Sequence, residues 1–385
     1  MSLDPKAGNP FPAEKQQLIL QAALLSGPKM HDAWEAWRSK VDLETDIEYA
    51  SFRVLPLLYH NLHNKGIDNP LMPRLKGIYR QSWSKNHILF YRTGKVLQLI
   101  NSAGIPTLVL KGIALTILTY KNYSVRPMSD MDILVPVAQA RKTIELLKAN
   151  GWVSMHPDKD EYFLKYGNSV TFIDEAKTEL DLHWYPFVET YGLMEENDFW
   201  DHAEPLKVAG VPTLALCASD ELLLTIVHGL MYNPEPPIRW ISDAIVLLGD
   251  NDRDVDFDRL LFYAKKFRVV IQLKEAFQYL IEHFQASVPT DFLRHLAKIK
   301  PSFAEKVVYR HAKKKGVVVY FPTGEKLFSI YAEYLSQTKR SGFVSQQIGF
   351  IKHMRQRTKS KPYHRIFIYY LSQLFRKPKA GGLHK

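Results

Sequence analysis

The apolar positions of the first eighty residues recur at helical spacing. Between Ala13 and Arg80 this pattern runs through EKQQLILQAALL, HDAWEAWRSKV and EYASFRVLPLLYHNLHN, with prolines at positions 28, 56, 70 and 73. Stripes of leucine and aromatic side chains at this spacing predict helices that pack around a core. Residues 82–103 continue the helical pattern and end at Gly104, a residue type suited to close a helix. We therefore expect an N-terminal helical cap over residues 1–80.

The pattern changes at Ile105, where short apolar runs alternate with polar turns. IPTLVL and MDILVPV are typical of buried strands, and the helical stretches IALTILTY and VAQARKTIELLKANG follow them. YFLKY, SVTFID and TELDLHWY then alternate in the manner of antiparallel strands. This order predicts an α+β core over residues 81–205, in which helices cover one face of a small mixed β-sheet.

Helical spacing returns after residue 205. PTLALCASDELLLTIVHGLMY is typical of a helix, with Ser219 or Asp220 as its N-cap. IRWISDAIVLLGD predicts another helix, and FDRLLFYAKKFRVVIQLKEAFQYLIEHF predicts a helical hairpin, whereas GVVVYF suits a short strand. We therefore expect a helical domain over residues 206–336 and a basic tail over residues 337–385. The core is thus flanked by helical regions on both sides.

The positive charge of the chain is concentrated in that tail. The net charge is +11, but from Tyr334 onward there is no acidic residue and about a dozen Lys and Arg, so the rest of the chain has a net charge of about −1. This distribution argues against nucleic acid as the main substrate. The tail itself has three interpretations: a solvated arm, an amphipathic piece (RIFIYYLSQLF) that contacts an anionic membrane or a partner, or a nucleic-acid contact.

Other compositional features narrow the class of protein. The single cysteine, Cys217, lies in the apolar run TLALCASD and excludes an intramolecular disulfide framework and a multi-cysteine metal site. The first fifteen residues lack the pattern of a signal peptide, and no run of 18 apolar residues occurs. We therefore expect a cytoplasmic protein without a membrane span.

Three acidic residues fall on predicted strands. Asp130 and Asp132 alternate with Met131 and Ile133, so both carboxylates point to one face of their strand, and Asp181 lies on a later strand. Like charges held this close repel unless a cation lies between them, and Mg²⁺ prefers oxygen ligands. The pattern predicts a metal-dependent phosphoryl-transfer site.

The segment between the first two strands carries residues suited to phosphate. The turn Lys111-Gly112 joins a strand to a helix, where backbone N–H groups can face a phosphate. Lys111 and Arg126 offer positive charge, and Ser129 precedes the acids directly. A structural alternative stays open for each, because Lys111 and Arg126 also suit a loop and the acids also suit solvated strand ends.

Four further residues are accessory candidates. His183 shares the face of Asp181, where it either orients a ligand or serves as a structural histidine. Arg239 and Asp243 are spaced i,i+4, which also suits a simple ion pair on a helix surface. His228 suits the core or the surface as well as a site.

The segment LVLKGIALTILTY…RPMSDMDILVP…LDLHW resembles a nucleotidyltransferase family with the pattern LKG, then R-x-x-x-D-x-D, then D-x-H. That family belongs to the DNA polymerase β-like nucleotidyltransferase superfamily, and the resemblance covers about residues 85–200. The superfamily's usual Gly-Ser pair is replaced here by Lys111-Gly112. HGLMYNPEPPIRWISDAIVLL, which contains the accessory residues His228, Arg239 and Asp243, also resembles the helical continuation of the family.

The resemblance implies specific roles. Asp130, Asp132 and Asp181 would bind metal, with Asp181 activating the acceptor, and Gly112 would form the phosphate-facing turn. The implied activity is Mg²⁺-dependent, with Mn²⁺ as an alternative, and transfers a nucleoside monophosphate from an NTP to an unidentified acceptor with release of pyrophosphate. Two alternatives stay open: a non-catalytic nucleotide- or partner-binding module on the same fold, and a small-molecule phosphotransferase.

Overall fold

A mixed β-sheet forms the centre of the computed structural model. The structure describes residues 10–230, 238–302 and 343–357, together with residues 305, 306, 309, 331 and 334. Within these residues the sheet has seven strands in the order β3-β4-β5-β2-β1-β7-β6. The strands are β1 (Leu108–Val109), β2 (Asp130–Leu134), β3 (Val153–Ser154), β4 (Ser169–Ile173), β5 (Glu179–His183), β6 (Glu204–Val208) and β7 (Val211–Ala215). β2 is parallel to β5 and β1 is parallel to β7, whereas the other neighbours are antiparallel.

Helices precede, interrupt and follow the sheet. The α-helices are α1 (Glu14–Leu24), α2 (Gly27–Arg38), α3 (Tyr49–Phe52), α4 (Leu55–Asn64), α5 (Met72–Ser102), α6 (Lys111–Ala114), α7 (Ala140–Ala149), α8 (Asp160–Tyr166), α9 (Ala218–Leu230), α10 (Arg239–Leu248), α11 (Phe257–Lys266), α12 (Val270–Phe284), α13 (Thr290–Lys298) and the helix Phe343–Arg357. A π-helix, Leu115–Tyr120, continues α6, and 3₁₀ turns lie at Val137–Gln139, Pro157–Lys159 and Val188–Thr190. The predicted α+β fold class is confirmed.

The two faces of the sheet pack against different cores. Leu134 belongs to a core that unites α1, α2 and α4 with α9–α13. Met131 and Ile133, which point the other way, belong to a second core with α5 and α7. Helices therefore cover both faces of the sheet, not one as the sequence suggested. The alternation along β2 places Asp130 and Asp132 on the same face as Leu134, next to the helices of both chain ends.

Two local predictions were wrong. YFLKY lies in the helix α8, not in a strand. Asp160 and Glu161 occupy the first turn of α8, where carboxylates interact favourably with the helix dipole, and Phe163 and Leu164 pack against the second core. Short apolar runs do not distinguish a strand from a helix by composition, so the acidic first turn was the overlooked signal.

The second error concerns PTLALC, which was interpreted as the start of a helix. Most of this run forms β7, and the helix α9 begins only at Ala218. Ala209 and Gly210 have φ angles of +49° and +83°, and they join the paired residues Val208 and Val211 in a two-residue hairpin turn. Positive φ at both turn positions matches the twist of antiparallel strands. The sheet thus extends to Ala215, beyond position 205.

Two further helical predictions were inexact: α5 begins at Met72 and crosses the expected boundary at residue 80, and Ser219 and Asp220 lie inside α9, not at its N-cap. The helical N-terminal region, α7, α10 and the hairpin of α11 and α12 are confirmed. The predicted strand GVVVYF lies outside the described residues, as does most of the basic tail. Among the described helices, none combines the length and the hydropathy required to cross a membrane.

Candidate functional site

The parallel pairing of β2 with β5 brings two of the predicted acids side by side. Asp132 and Asp181 are register partners, and Leu134 pairs with His183. One possible ligand atom from each of Asp132, Asp181 and His183 lies within 4.8 Å of the others. Residues of neighbouring parallel strands at the same register share a face of the sheet, so the pairing itself assembles this cluster.

Asp132 is buried, and positive or donating groups surround it. Lys111 Nζ lies 2.7 Å and His183 Nε2 lies 3.1 Å from Asp132 Oδ1. Burial opposes ionisation, but the Lys111 ammonium and the His183 contact outweigh it and hold the pKa of Asp132 well below its usual range. Burial likewise opposes the charge on Lys111, and Asp132 raises the pKa of that ammonium. Both groups are therefore charged at neutral pH.

His183 acts as a donor to this carboxylate. A carboxylate only accepts hydrogen bonds, so His183 Nε2 carries a proton. His183 Nδ1 is buried and has no hydrogen-bond partner among the described residues. The imidazole therefore orients Asp132.

The pKa of Asp181 is raised, whereas that of Asp132 is lowered. Thr171 Oγ1 on β4 donates a 2.5 Å hydrogen bond to Asp181 Oδ1. Burial and the negative charge of Asp132 raise the pKa of Asp181, more than His183, Thr171 and Lys111 together lower it. The two carboxylates therefore carry an incompletely balanced negative charge. Paired carboxylate oxygens of this kind fit a divalent cation such as Mg²⁺ or Mn²⁺.

The Lys111-Gly112 turn lies directly beside these acids. Lys111 has a φ of +48°, an uncommon value for a residue with a side chain. A Cβ on Gly112 would lie 2.7 Å from Arg126 Nη1 and 2.9 Å from Met128 Sδ. Such distances are too short for real atoms, so a side chain at this position would displace the ends of the Arg126 and Met128 side chains.

Arg126 and Asp243 form a second cluster, the buried ion-pair cluster, together with Tyr120. Arg126 Nε and Nη2 donate to the two oxygens of Asp243 at 2.8 and 2.9 Å, and Tyr120 Oη donates to Asp243 Oδ1 at 2.9 Å. The carboxylate of Asp243 is thus bound by residues more than 100 positions away. Arg239, the i,i+4 candidate for this pair, instead donates from Nη1 to the carbonyl oxygen of Pro127 at 2.5 Å.

An excess of guanidinium groups borders this cluster. Burial together with the charge of Arg126 lowers the pKa of Arg239, and Arg53 contributes to the same shift. Burial also lowers the pKa of Arg53, with Arg126 adding to the effect and Asp130 opposing it. Arg53 Nε is buried without a hydrogen-bond partner in the described part of the chain. Sequence reasoning missed Arg53, because it lies in the helical cap, outside the motif.

The remaining predicted residues lie around the cluster. Asp130 begins β2 opposite Glu179 and is not one of the three grouped residues. Ser129 is exposed. The side chain of His228 is also exposed. The charge of Lys111 lowers the pKa of its imidazole, and burial adds to the shift, so His228 lies near Lys111.

Glu221 on α9 is a further acid that the sequence did not single out. It is 1% exposed, and neither of its carboxyl oxygens has a hydrogen-bond partner among the described residues. Burial raises the pKa of Glu221 to about 8, even though Arg253 and Arg126 oppose the shift. Glu221 is therefore largely protonated at neutral pH.

Comparisons with known proteins identify the family of this chain. No curated protein matches the chain. Among solved structures, an antigenic nucleotidyltransferase-like protein from Paracoccidioides brasiliensis aligns at 12% identity with a TM-score of 0.35, over 55% of this chain and 97% of that chain. The family model described as "Uncharacterised nucleotidyltransferase" matches residues 49–285, more than half of the chain. The chain therefore belongs to this uncharacterised nucleotidyltransferase family.

Proposed function

We propose that the protein is a Mg²⁺-dependent nucleotidyltransferase that moves a nucleoside monophosphate from an NTP to an acceptor and releases pyrophosphate. The observation that carries the proposal is the adjacency of Asp132 and Asp181 on parallel strands, where their like charges are incompletely balanced. Asp132 and Asp181 would hold the metal, and Asp130 would join them as the resemblance implies. When bound, Mg²⁺ neutralises phosphate charge and lowers the pKa of the attacking hydroxyl.

Residues around the two acids orient the carboxylates and contact the triphosphate. His183 fixes the orientation of Asp132 through the bond to Oδ1, and Thr171 fixes Asp181. Lys111 would offer its ammonium to the triphosphate, next to the metal that Asp132 and Asp181 would hold. Gly112 keeps the turn free of a side chain.

The excess positive charge extends the phosphate site. Arg53 and Arg239 lie near Asp130, and each has a lowered pKa in which burial and a neighbouring guanidinium both act. An anion placed between such groups is stabilised, because it relieves their repulsion. Ser129 stays a predicted triphosphate contact, as does Arg126 through the Nη1 that does not bond Asp243, and His228 stays an accessory candidate.

Calorimetric titration tests the nucleotide site without knowledge of the acceptor. Wild-type protein is titrated with a non-hydrolysable NTP in Mg²⁺ and then in EDTA, next to Asp132→Asn with Asp181→Asn. We expect binding that requires Mg²⁺ and is lost in the double variant. Glu145→Gln, which neutralises an exposed carboxylate on α7, is the matched control and should bind like wild type. Equal binding in EDTA would remove the metal from the proposal.

Transfer is tested next with α-labelled NTPs, Mg²⁺ and candidate acceptors. A product that gains a labelled nucleotide supports nucleotidyl transfer, and a product that gains label only from a γ-labelled NTP indicates a phosphotransferase. Labelling that survives Asp130→Ala combined with Asp132→Ala would contradict the assigned roles.

A second candidate is a non-catalytic binding module on the same fold. The favouring observation is the Lys111 ammonium 2.7 Å from Asp132 Oδ1, since a built-in cation can neutralise this carboxylate in place of a metal. The variant Lys111→Met distinguishes the two candidate functions, because they predict different effects on Mg²⁺ binding and on stability. Loss of a competing ammonium strengthens Mg²⁺ binding at a metal site, whereas a module stabilised by the ion pair loses stability and still binds no Mg²⁺.

A further inference from the structure

One long segment of the chain has no acidic residue. Between Asp68 and Asp130 there are nine Lys and Arg and neither Asp nor Glu. Six of these cations lie on α5, a helix of 31 residues. Averaging over the whole chain hides this feature, because acids elsewhere balance it. A helix surface with several cations and no acid of its own attracts polyanions.

The exposed side of α5 also carries aromatic rings. Lys76, Arg80, Trp83, His87 and Tyr91 are spaced by four, three, four and four residues, so they follow one line along the helix. We call these five residues the basic–aromatic stripe. Trp83 is 51% and Tyr91 is 60% exposed, which is unusual for such large rings. At 1.5 Å per residue the stripe is about 22 Å long.

The Trp83 and His87 rings are held in place by ring contacts. The His87 ring lies 4.0 Å from that of Trp83 and 5.1 Å from that of Tyr123, which it meets edge-on. Tyr123 in turn contacts Phe90, with ring centroids 4.9 Å apart. Rings fixed in this way offer a stacking surface at a low entropic cost.

The stripe is joined to the candidate metal site by the loop 121–129. Asn86 Nδ2 donates to the carbonyl oxygens of Tyr123 and Arg126 at 2.7 and 2.9 Å. Asn86 Oδ1 accepts from the backbone N–H of Met128 at 3.2 Å. The helix that carries the stripe therefore fixes the loop that leads into Asp130. A ligand that lies along the stripe passes the loop that ends at Asp130.

The cations of the stripe have no carboxylate partner among the residues that the structure describes. The ion pairs found there include Arg74 with Glu44, but none that involves Lys76, Arg80 or the neighbouring Lys95. Lys95 instead lies over the Tyr91 ring at 4.6 Å. Cations that flank a row of exposed rings match a chain of phosphates that carries planar bases.

We propose that the basic–aromatic stripe binds single-stranded nucleic acid and directs one of its ends to the metal site as the nucleotide acceptor. The role of the nucleic acid as acceptor rests on the proposed nucleotidyl transfer, whereas its binding to the stripe does not. A single strand fits because its bases are free to stack on Trp83 and Tyr91. An anionic membrane matches the charge but not the placement, since the loop bonded to α5 at Asn86 leads to Asp130, two residues before the buried Asp132.

Fluorescence polarisation of the full chain with labelled single-stranded 12-mers of RNA and DNA tests the proposal. We expect Trp83→Ala with Tyr91→Ala to weaken binding at least about tenfold, because stacking dominates at such sites. Lys76→Glu with Arg80→Glu should weaken binding and reduce its salt dependence. Phe262→Ala, which removes an exposed ring on α11, is the matched aromatic control. Lys359→Glu with Lys361→Glu is the matched charge control in the basic tail.

The outcomes separate this proposal from the proposed function. Binding that is lost in the stripe variants and kept in Asp132→Asn and in both controls supports the stripe, even if no transfer is found. Binding lost only in the tail variant, or unchanged in the stripe variants, overturns it. Binding to vesicles of phosphatidylserine that requires the stripe, without binding to either 12-mer, also overturns it in favour of a membrane surface.

Discussion

Two neighbouring clusters of charged residues behave differently in this protein. In the buried ion-pair cluster, one guanidinium meets one carboxylate through two parallel hydrogen bonds, and Tyr120 supplies a third. In the metal-site cluster, Asp132 and Asp181 share a single nearby ammonium, that of Lys111. Both clusters combine carboxylates with basic side chains, so the presence of both kinds of group does not separate them. The balance of charge does.

This difference has a physical consequence. A bidentate Arg–carboxylate pair is complete in itself and gains nothing from a further ion. Two carboxylates with one ammonium retain a surplus negative charge. Burial first, and then the negative charge of Asp132, raise the pKa of Asp181. A divalent cation offsets that surplus. Lys111, which contacts Asp132, has an unusual φ of +48°, and Lys121, which follows Tyr120 of the buried ion-pair cluster, has a φ of +52°. Strained backbone of this kind costs about 1 kcal/mol and concentrates at functional sites.

The sharpest test of the comparison removes one charge from the metal-site cluster. Asp132→Asn should lower the transfer rate by roughly 10⁴-fold, since metal-held charge stabilises the transition state by several kcal/mol. The fold should persist, because Asp181 and Asp130 remain as negative charges near the Lys111 ammonium. Steady-state kinetics and circular dichroism measure the two effects. Glu145→Gln is the control, and unchanged kinetics in Asp132→Asn would place the chemistry elsewhere.

The matching change in the buried ion-pair cluster should act on stability instead. Asp243→Asn leaves Arg126 buried without its counter-ion, and we expect a loss of about 4 kcal/mol in the free energy of unfolding. Urea denaturation followed by tryptophan fluorescence measures it. Arg126→Met with Asp243→Leu should recover at least half of the loss, because no unpaired charge remains. A variant Asp243→Asn that keeps full stability but loses nucleotide binding would make this cluster part of the site.

Glu221 is a third case, a buried acid that is largely uncharged at neutral pH. Its folded pKa of about 8 lies above the usual value of 4.5, so the folded state holds a proton that the unfolded state releases. Stability from this group is complete below about pH 4.5 and falls as the pH rises towards 8. We expect a fall of about 3 kcal/mol between pH 5 and pH 8, less than the full linkage value because the site relaxes around the carboxylate.

Glu221→Gln isolates this contribution. The amide does not titrate in this range, so the variant should lose the part of the pH dependence that Glu221 causes, as measured by urea denaturation at several pH values. Parallel pH profiles of the variant and wild type would show that Glu221 is ionised in the folded protein.

The smallest predicted effect concerns the support of Asp181. Thr171→Val removes the hydroxyl that donates to Asp181 Oδ1 while keeping the shape of the side chain. We expect about a tenfold loss of Mg²⁺ affinity and of transfer rate, the usual effect of removing a group that orients a ligand. Thr171→Ser should restore both, because it returns the hydroxyl. A loss that serine does not rescue would indicate a packing defect.

Sequence reasoning was effective where a local period governs the structure. The two-residue period of β2 correctly put Asp130 and Asp132 on one face and Met131 on the other. It failed for YFLKY and PTLALC, because short apolar runs fit a helix or a strand equally well. The acid-free character of α5 was visible in the sequence, but net charge counted over the whole chain concealed it.

The sequence by itself determined the alternation of the acids, the glycine beside them and the α+β order of elements, because these depend on neighbours a few residues apart. Only the tertiary structure decided which charges are balanced. Arg126 finds Asp243 across 117 positions, although Arg239 is closer to it in sequence, and Asp181 meets Asp132 because β5 pairs in parallel with β2. Electrostatic energy depends on distance in space and on burial, and neither follows from spacing along the chain.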